Sequence, residues 1–351
     1  MKADADSAAP IYDMNTHACL IIWIMGAALL FSSGEVPGMG RSSEAPAETR
    51  RPYDYPAAGA ATLAFDRGDF QLVLRARRFA QGNVVYTEIR IPPGSAGMKE
   101  IRMEFNGRPV ALSKKDRDYA GIFAIAPDEK SGKKTILLYR DERGRRINHH
   151  FELTVARTDF KQYPRPINLG RFSNASIVPP PDVRAFIEAC SRKKKEVFER
   201  RSPGIFLGPV YHPRDAHFIT SSFWAGRKYL RYRVERGKRI YLRPSSNAHS
   251  GVDLRGERGD PVFAMAAGEV AIAEAMYYEG NYIVIDHGSG VFSSYIHLDG
   301  FAVREGQKVR PGELIGYVGS TGLSTAPHLH VSFSIDGIHV DPISLLYAVP
   351  R

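Results

Sequence analysis

The chain has 351 residues, of which 48 are Lys or Arg and 38 Asp or Glu, for a formal net charge of +10. That length predicts about two domains, and 43% hydrophobic with 25% charged residues excludes wholesale disorder. Two cysteines, Cys19 and Cys190, make neither a disulfide framework nor a four-thiolate metal site. The basic balance points to a polyanionic partner without saying which one.

Residues 18–31 (ACLIIWIMGAALLF) form the one long uncharged apolar run. As a helix it would span about 21 Å, short of the roughly 30 Å of bilayer hydrocarbon. With Ser32, Ser33 and Gly34 after it, the run predicts a signal-peptide core. Residues 1–34 are therefore expected to be a signal peptide, or a membrane anchor if uncleaved. The expected location is the periplasm or cell envelope, with membrane contact only in the uncleaved case. Cys19 stands at the start of the run and not after it, where a lipidated cysteine would lie, so this is not a lipoprotein signal. Residues 35–58, rich in Pro, Gly, Ser and charge, read as a linker.

From 59 to 157, alternating segments predict antiparallel strands: QLVLRA, VVYTEIRI, KEIRMEF, GIFAIA, KTILLYR and HFELTVA. Turn residues separate them, among them Asn106-Gly107, and six or seven strands over this length suggest an immunoglobulin-like sandwich. His149-His150 is expected at a solvated strand end. Residues 158–205 read as a connector with one helix, capped by Asp182 and apolar along Ala185, Ile187, Ala189, Val197 and Phe198. Its run Arg192 to Lys195 is expected to face solvent. From 206 to 351 short strands return between closely spaced glycines, so the expected fold class is all-β throughout.

Two stretches in this last region have metal-ligand spacing: His249-Ser-Gly-Val-Asp253 and His328-Leu-His330. In extended chain, residues two or four apart share a side, so each stretch presents its donors together. Gly251 is expected to leave room for an ion between His249 and Asp253. Two imidazoles and a carboxylate suit Zn²⁺ and leave its fourth position open, a catalytic stoichiometry. Spacing alone does not choose between His328 and His330 as the ligand. The histidine left over and His297, in Tyr295-Ile-His297, would supply the proton transfers that peptide hydrolysis needs.

The stretch from about 245 to 342 resembles the lysostaphin and LytM-type zinc endopeptidases that cut peptidoglycan cross-links. The matching segments are HSGVDLRGERGDPVFAMAAGEV, GNYIVIDHGSGVFSSYIHL, VREGQKVRPGELIGYVGSTGLSTAPHLHVSF and VDP. The resemblance implies one Zn²⁺ held by His249, Asp253 and His330, with His297 and His328 as the non-ligand catalytic pair. Within that pair, His328 is expected to be the general base and His297 the stabiliser of the tetrahedral oxyanion, or the two in reversed order. Tyr295 either orients His297 or packs. His287 takes a structural role and His339 a surface one. Ala326 stands where the family usually has glycine. The implied substrate is a D-Ala-diaminopimelate cross-link in a Gram-negative source or a glycine bridge in a Gram-positive one. Upstream segments in such proteins occlude or position the active site. Relatives that act as non-enzymatic regulators usually lack a ligand, whereas this chain keeps the set.

The charge is uneven. Residues 227–243 hold Arg227, Lys228, Arg231, Arg233, Arg236, Lys238, Arg239 and Arg243 against Glu235 alone, in a predicted hairpin turning at Glu235-Arg236-Gly237. Residues 244–351 hold six basic and twelve acidic residues. The hairpin is a candidate clamp for peptidoglycan carboxylates or neighbouring envelope polyanions. Nucleic acid is excluded as a partner, since no interleaved aromatic and basic platform is present.

Overall fold

A computed structural model describes residues 59–94, 100–142, 145–204, 208–214 and 218–350. The expected leader and linker (1–34 and 35–58) lie outside the described residues. Among those described, no helix is long and apolar enough to cross a membrane.

The N-terminal region is built from nine strands: β1 (Ala61–Asp66), β2 (Gln71–Ala76), β3 (Val84–Arg90), β4 (Arg102–Phe105), β5 (Arg108–Val110), β6 (Leu112–Lys115), β7 (Asp118–Ala124), β8 (Gly132–Glu142) and β9 (Arg145–Val155). They form two sheets, ordered β1-β2-β3-β7-β6 and β5-β4-β8-β9. Alternate residues of both sheets meet in one core, including Leu72, Leu74, Val85, Met103, Phe105, Phe123, Ile136, Leu138 and Phe151. Period-two patterning with one buried face makes a sandwich of this kind. Asn106 (φ +49°) and Gly107 (φ +77°) supply the left-handed pair that a two-residue turn between β4 and β5 demands. His149 and His150 lie within β9 rather than at its end; they point to opposite faces, so they cannot chelate together.

The connector first runs beside the later hairpin and then forms helix α1 (Pro181–Phe198). Pro180, not Asp182, is its N-cap, and Pro181 opens the first turn, where a missing N–H would be unpaired anyway. Asp182 instead sits in the first turn, where it complements the helix dipole. The buried stripe is Val183, Cys190 and Val197, flanked by Phe186 and Ile187 rather than Ala185. Cys190 and Val197 pack against Ala271, Ile272, Met276, Tyr282, Val284 and Phe292. The basic run is not simply solvated. Lys193 bridges Glu274 (3.1 Å) and Glu305 (2.6 Å), and Lys194 pairs with Glu279.

The C-terminal region contains β10 (Ile219–Ser221), β11 (Gly226–Glu235), β12 (Lys238–Ala248), β13 (Val252–Arg255), β14 (Pro261–Phe263), β15 (Gly268–Met276), β16 (Gly280–Gly288) and β17 (Val291–Leu298). Then come β18 (Gly300–Phe301), β19 (Lys308–Val309), β20 (Leu314–Tyr317), β21 (His328–Ile335), β22 (Ile338–Val340) and helix α2 (Pro342–Ala348). The main antiparallel sheet runs β10-β13-β21-β17-β16-β15-β19, with β22 also on β21. Near-continuous burial along β16, β17 and β21 follows from cover on both faces. β11 and β12 form the expected hairpin, turning at Arg236 (φ +48°) and Gly237 (φ +76°). The sandwich docks on α2 and the adjoining sheet edge. Val84, Tyr86, Ile122 and Ala124 share a core with Phe333, Ile335, Val340 and Ile343, and Asp341 N–H donates to the Gly82 carbonyl (2.7 Å).

His287 has the structural role expected of it. It is buried, its Nδ1 lies 2.7 Å from the Ala267 carbonyl, and its Nε2 lies 2.9 Å from Ser293 Oγ. Burial holds its pKa down at about 4. A ring whose folded pKa lies below the unfolded 6.5 leaves stability intact above pH 6.5 and withdraws it as pH falls from 6.5 to 4. The loss over that window is roughly 3 kcal/mol. Urea midpoints measured between pH 7 and 4 should fall more steeply for the wild type than for His287→Gln. Parallel curves would assign the acid sensitivity elsewhere.

Candidate metal centre and its histidine pair

β13 and β21 are neighbours in antiparallel register, with Asp253 opposite His330 and Arg255 opposite His328. Residues two apart on each strand therefore present one face. His249, at the end of β12, reaches the same point. Its backbone N–H donates to the Ala225 carbonyl (3.0 Å), and its carbonyl accepts from Trp224 (2.8 Å). His249 Nε2 lies 3.0 Å from Asp253 Oδ1 and 2.9 Å from His330 Nδ1, which is itself 2.9 Å from Asp253 Oδ1. All three residues are buried, and among the described residues they form the one cluster of donors able to hold a metal ion.

The donor chemistry fits a cation. His249 Nδ1–H donates to the Ser222 carbonyl (2.9 Å), which leaves a lone pair on Nε2. That lone pair faces a carboxylate oxygen and a second ring nitrogen in a buried space, a set of donors that could hold a cation. Two nitrogens and one oxygen at such spacing suit Zn²⁺. Burial works against charge on Asp253, but its contacts with His249 and His330 hold the carboxyl well below the usual range. Its other oxygen, Oδ2, accepts from the Arg227 guanidinium at the base of the basic hairpin. Arg227 thus leaves Oδ1 as the oxygen turned to the cluster.

Gly251 has a different task from the one expected. A Cβ there would lie 2.2 Å from the Val331 carbonyl and 2.8 Å from His330 Nε2. Glycine lets β13 close on β21 and on the His330 ring; it does not make a space for the ion.

His297 and His328 face each other beside this cluster, with ring centroids 5.1 Å apart. His297 Nδ1–H donates to the Thr321 carbonyl (2.8 Å), and His328 Nδ1–H to the Ala326 carbonyl (2.8 Å). Each neutral ring therefore carries its lone pair on Nε2. His328 Nε2 is 3.7 Å from Asp253 Oδ1, and the His297 ring lies 6.4 Å from that of His330. Burial, with the neighbouring His328 and His330, holds His297 down at about 3. Its backbone is left-handed (φ +65°), a strained conformation for a residue with a Cβ, held by a bond from its N–H to the Glu279 carbonyl (2.8 Å). Gly319 permits the turn, since a Cβ there would lie 2.4 Å from Asp299 N.

The structure also places three further residues, resolving Tyr295 to its packing alternative and correcting His339. Tyr295 is fully buried and its hydroxyl accepts from Met265 N–H (2.8 Å), so it packs and does not orient His297. His339 is half-buried with its Nδ1 unpartnered, not a surface residue. Ala326 contributes a carbonyl and is not in the left-handed region, so glycine is not required there. The carbonyls of Ser222, Thr321 and Ala326 are the tautomer-setting groups that no sequence pattern names.

A family model for peptidase family M23 matches residues 247–342. The DD-carboxypeptidase/endopeptidase Mpg of Neisseria meningitidis serogroup B is 43% identical over 103 residues, covering 29% of this chain and 24% of that protein. The chain's match thus spans about a quarter of that relative's length. The lipoprotein NlpD of Yersinia enterocolitica is 40% identical over 95 residues, which cover 27% of this chain and 97% of that sequence. A crystal structure of a Pseudomonas aeruginosa protein assigned to peptidase M23 superposes with a TM-score of 0.52, covering 78% of this chain and 96% of that one at 24% identity, a likeness of fold. With its buried His249, Asp253 and His330 intact, the chain belongs to peptidase family M23 through its C-terminal domain.

Proposed function

We propose that the protein is a zinc-dependent endopeptidase that hydrolyses amide bonds in peptidoglycan cross-links, with D-Ala-diaminopimelate cross-links as preferred substrate. The observation that carries this reading is the convergence of His249, Asp253 and His330 beside two histidines whose Nδ1 protons are already committed to backbone carbonyls. His249, Asp253 and His330 would hold one Zn²⁺. When bound, that ion supplies Lewis acidity that polarises an amide carbonyl and lowers the pKa of water. His328, partly exposed like His297, takes the proton from the attacking water and returns it to the departing amine. His297 is neutral and carries a lone pair on Nε2, so it orients the water by accepting from it. Donation from His297 to an oxyanion would need a second ring proton, which its burial opposes.

The chain divides in this reading into an immunoglobulin-like sandwich (59–157), a connector (158–205) and the catalytic unit (206–351), exported by residues 1–34 to the periplasm or envelope. The basic hairpin 227–243 would grip peptidoglycan carboxylates or envelope polyanions, more weakly as salt rises. Purified protein should contain one zinc per chain, and mass spectrometry should find cross-linked muropeptides converted to monomers. A zinc-loaded protein that binds sacculi but releases nothing would instead identify a regulator built on the same fold.

A further inference from the structure

We propose that Arg255, together with Phe218, forms a subsite for a free carboxylate of the substrate, close to the scissile amide. This rests on the reading that the site hydrolyses peptide amides. Arg255 is two residues from Asp253 on β13, so both side chains leave the same face, and its partner across β21 is His328. On the other side, Arg255 N–H donates to the Phe218 carbonyl (2.9 Å), which places Phe218 opposite it at the sheet edge. A row Phe218, Arg255, His328 thus crosses three chain segments next to the metal donors.

The row's chemistry is unusual for its surroundings. The other arginines near the cleft are engaged: Arg227 with Asp253, Arg214 with Asp260 (2.7 Å) and Arg258 with Asp299 (2.6 Å). Arg255 is exposed and, among the described residues, has no carboxylate partner, although residues 244–351 hold twice as many acidic as basic residues. Its guanidinium lies 6.0 Å from the centre of the Phe218 ring, which is 57% exposed. An aromatic ring beside a guanidinium limits its freedom and leaves its fork of donors open to an anion. Carboxylate is the anion that fork matches, through two parallel hydrogen bonds.

Distance fixes where that carboxylate sits. Asp253 and Arg255 are separated by about 7 Å along the strand, which is two residues of an extended peptide. The guanidinium would therefore meet a carboxylate one or two residues from the amide held at the metal donors. A stem-peptide cross-link whose diamino-acid carboxylate is free offers this group, whereas a bridge of glycines does not.

The test uses the full-length zinc protein and two cross-linked muropeptide dimers that differ only in whether the diaminopimelate carboxyl is free or amidated. The wild type should prefer the free acid by roughly 10- to 100-fold in kcat/KM, carried mostly by KM. In Arg255→Gln that preference should collapse towards one, and Arg255→Lys should restore part of it. A preference unchanged in Arg255→Gln, or absent from the wild type, overturns the subsite. Should the wild type cleave neither dimer, the proposed reaction fails separately, and calorimetric binding decides the subsite. Tighter binding of the free acid, lost in Arg255→Gln, upholds it, and equal binding of the two dimers overturns it.

Discussion

Asp253→Ala should lose zinc and hydrolysis together. Asp253 supplies the one anionic donor, and its Oδ1 is within 3.0 Å of both ring nitrogens that complete the cluster. Its removal leaves two neutral imidazoles, short of the three protein ligands that a catalytic zinc site requires. It also strands Arg227, whose side chain is only 16% exposed and pairs with the lost carboxylate. An unpaired cation would then sit next to the place of a divalent ion, so the variant is penalised twice. Zinc affinity, measured by chelator competition, should fall by well over about 100-fold, beyond the range seen when only supporting residues are changed. Muropeptide cleavage should fall by at least about 10³-fold. Asp253→Asn keeps the shape and should show nearly the same loss, which separates charge from packing. Full zinc occupancy in Asp253→Ala would remove this carboxylate from the ligand set.

The strong parts of the fold were legible because local sequence and burial agree. Each of the six alternating segments read from residues 59–157 coincides with a strand, from Leu72 and Leu74 in β2 to Phe151 and Leu153 in β9. The strands that were missed give weak local signals. β1 is mostly exposed, and β5 and β6 have three and four residues, so tertiary pairing and not pattern defines them. The donors were legible for a different reason. Asp253 and His330 each belong to a short motif whose spacing is visible in the sequence, and the β13–β21 register that sets them opposite each other brings the two motifs to one face. What escaped the sequence is long-range or carried by backbone. Thr321 lies 24 residues from His297, and its contribution is a carbonyl that every residue type possesses. Charge counting marked the hairpin as basic, yet nothing in its composition singles out Arg227 from its seven basic neighbours. The register of β11 on β12, with Arg227 opposite Asn247, brings it to Asp253.

His297→Ala tests the division between holding the ion and handling protons. Its ring is not among the three converging donors, and its Nδ1–H is spent on the Thr321 carbonyl. Truncation should therefore leave zinc stoichiometry and chelator-competition affinity close to those of the wild type. Turnover should drop by about 10²- to 10⁴-fold, the range a positioned acid–base group contributes. The loss should fall on kcat more than on KM, because a group that acts on the attacking water adds little to ground-state binding. The backbone needs a control of its own, since residue 297 is left-handed at φ +65° and relies on the Glu279 carbonyl. Asparagine tolerates that conformation better than alanine. His297→Asn should accordingly be the more stable of the two variants and equally inactive. Activity regained in His297→Asn would trace the defect in His297→Ala to backbone strain, and zinc lost from both would make His297 a ligand.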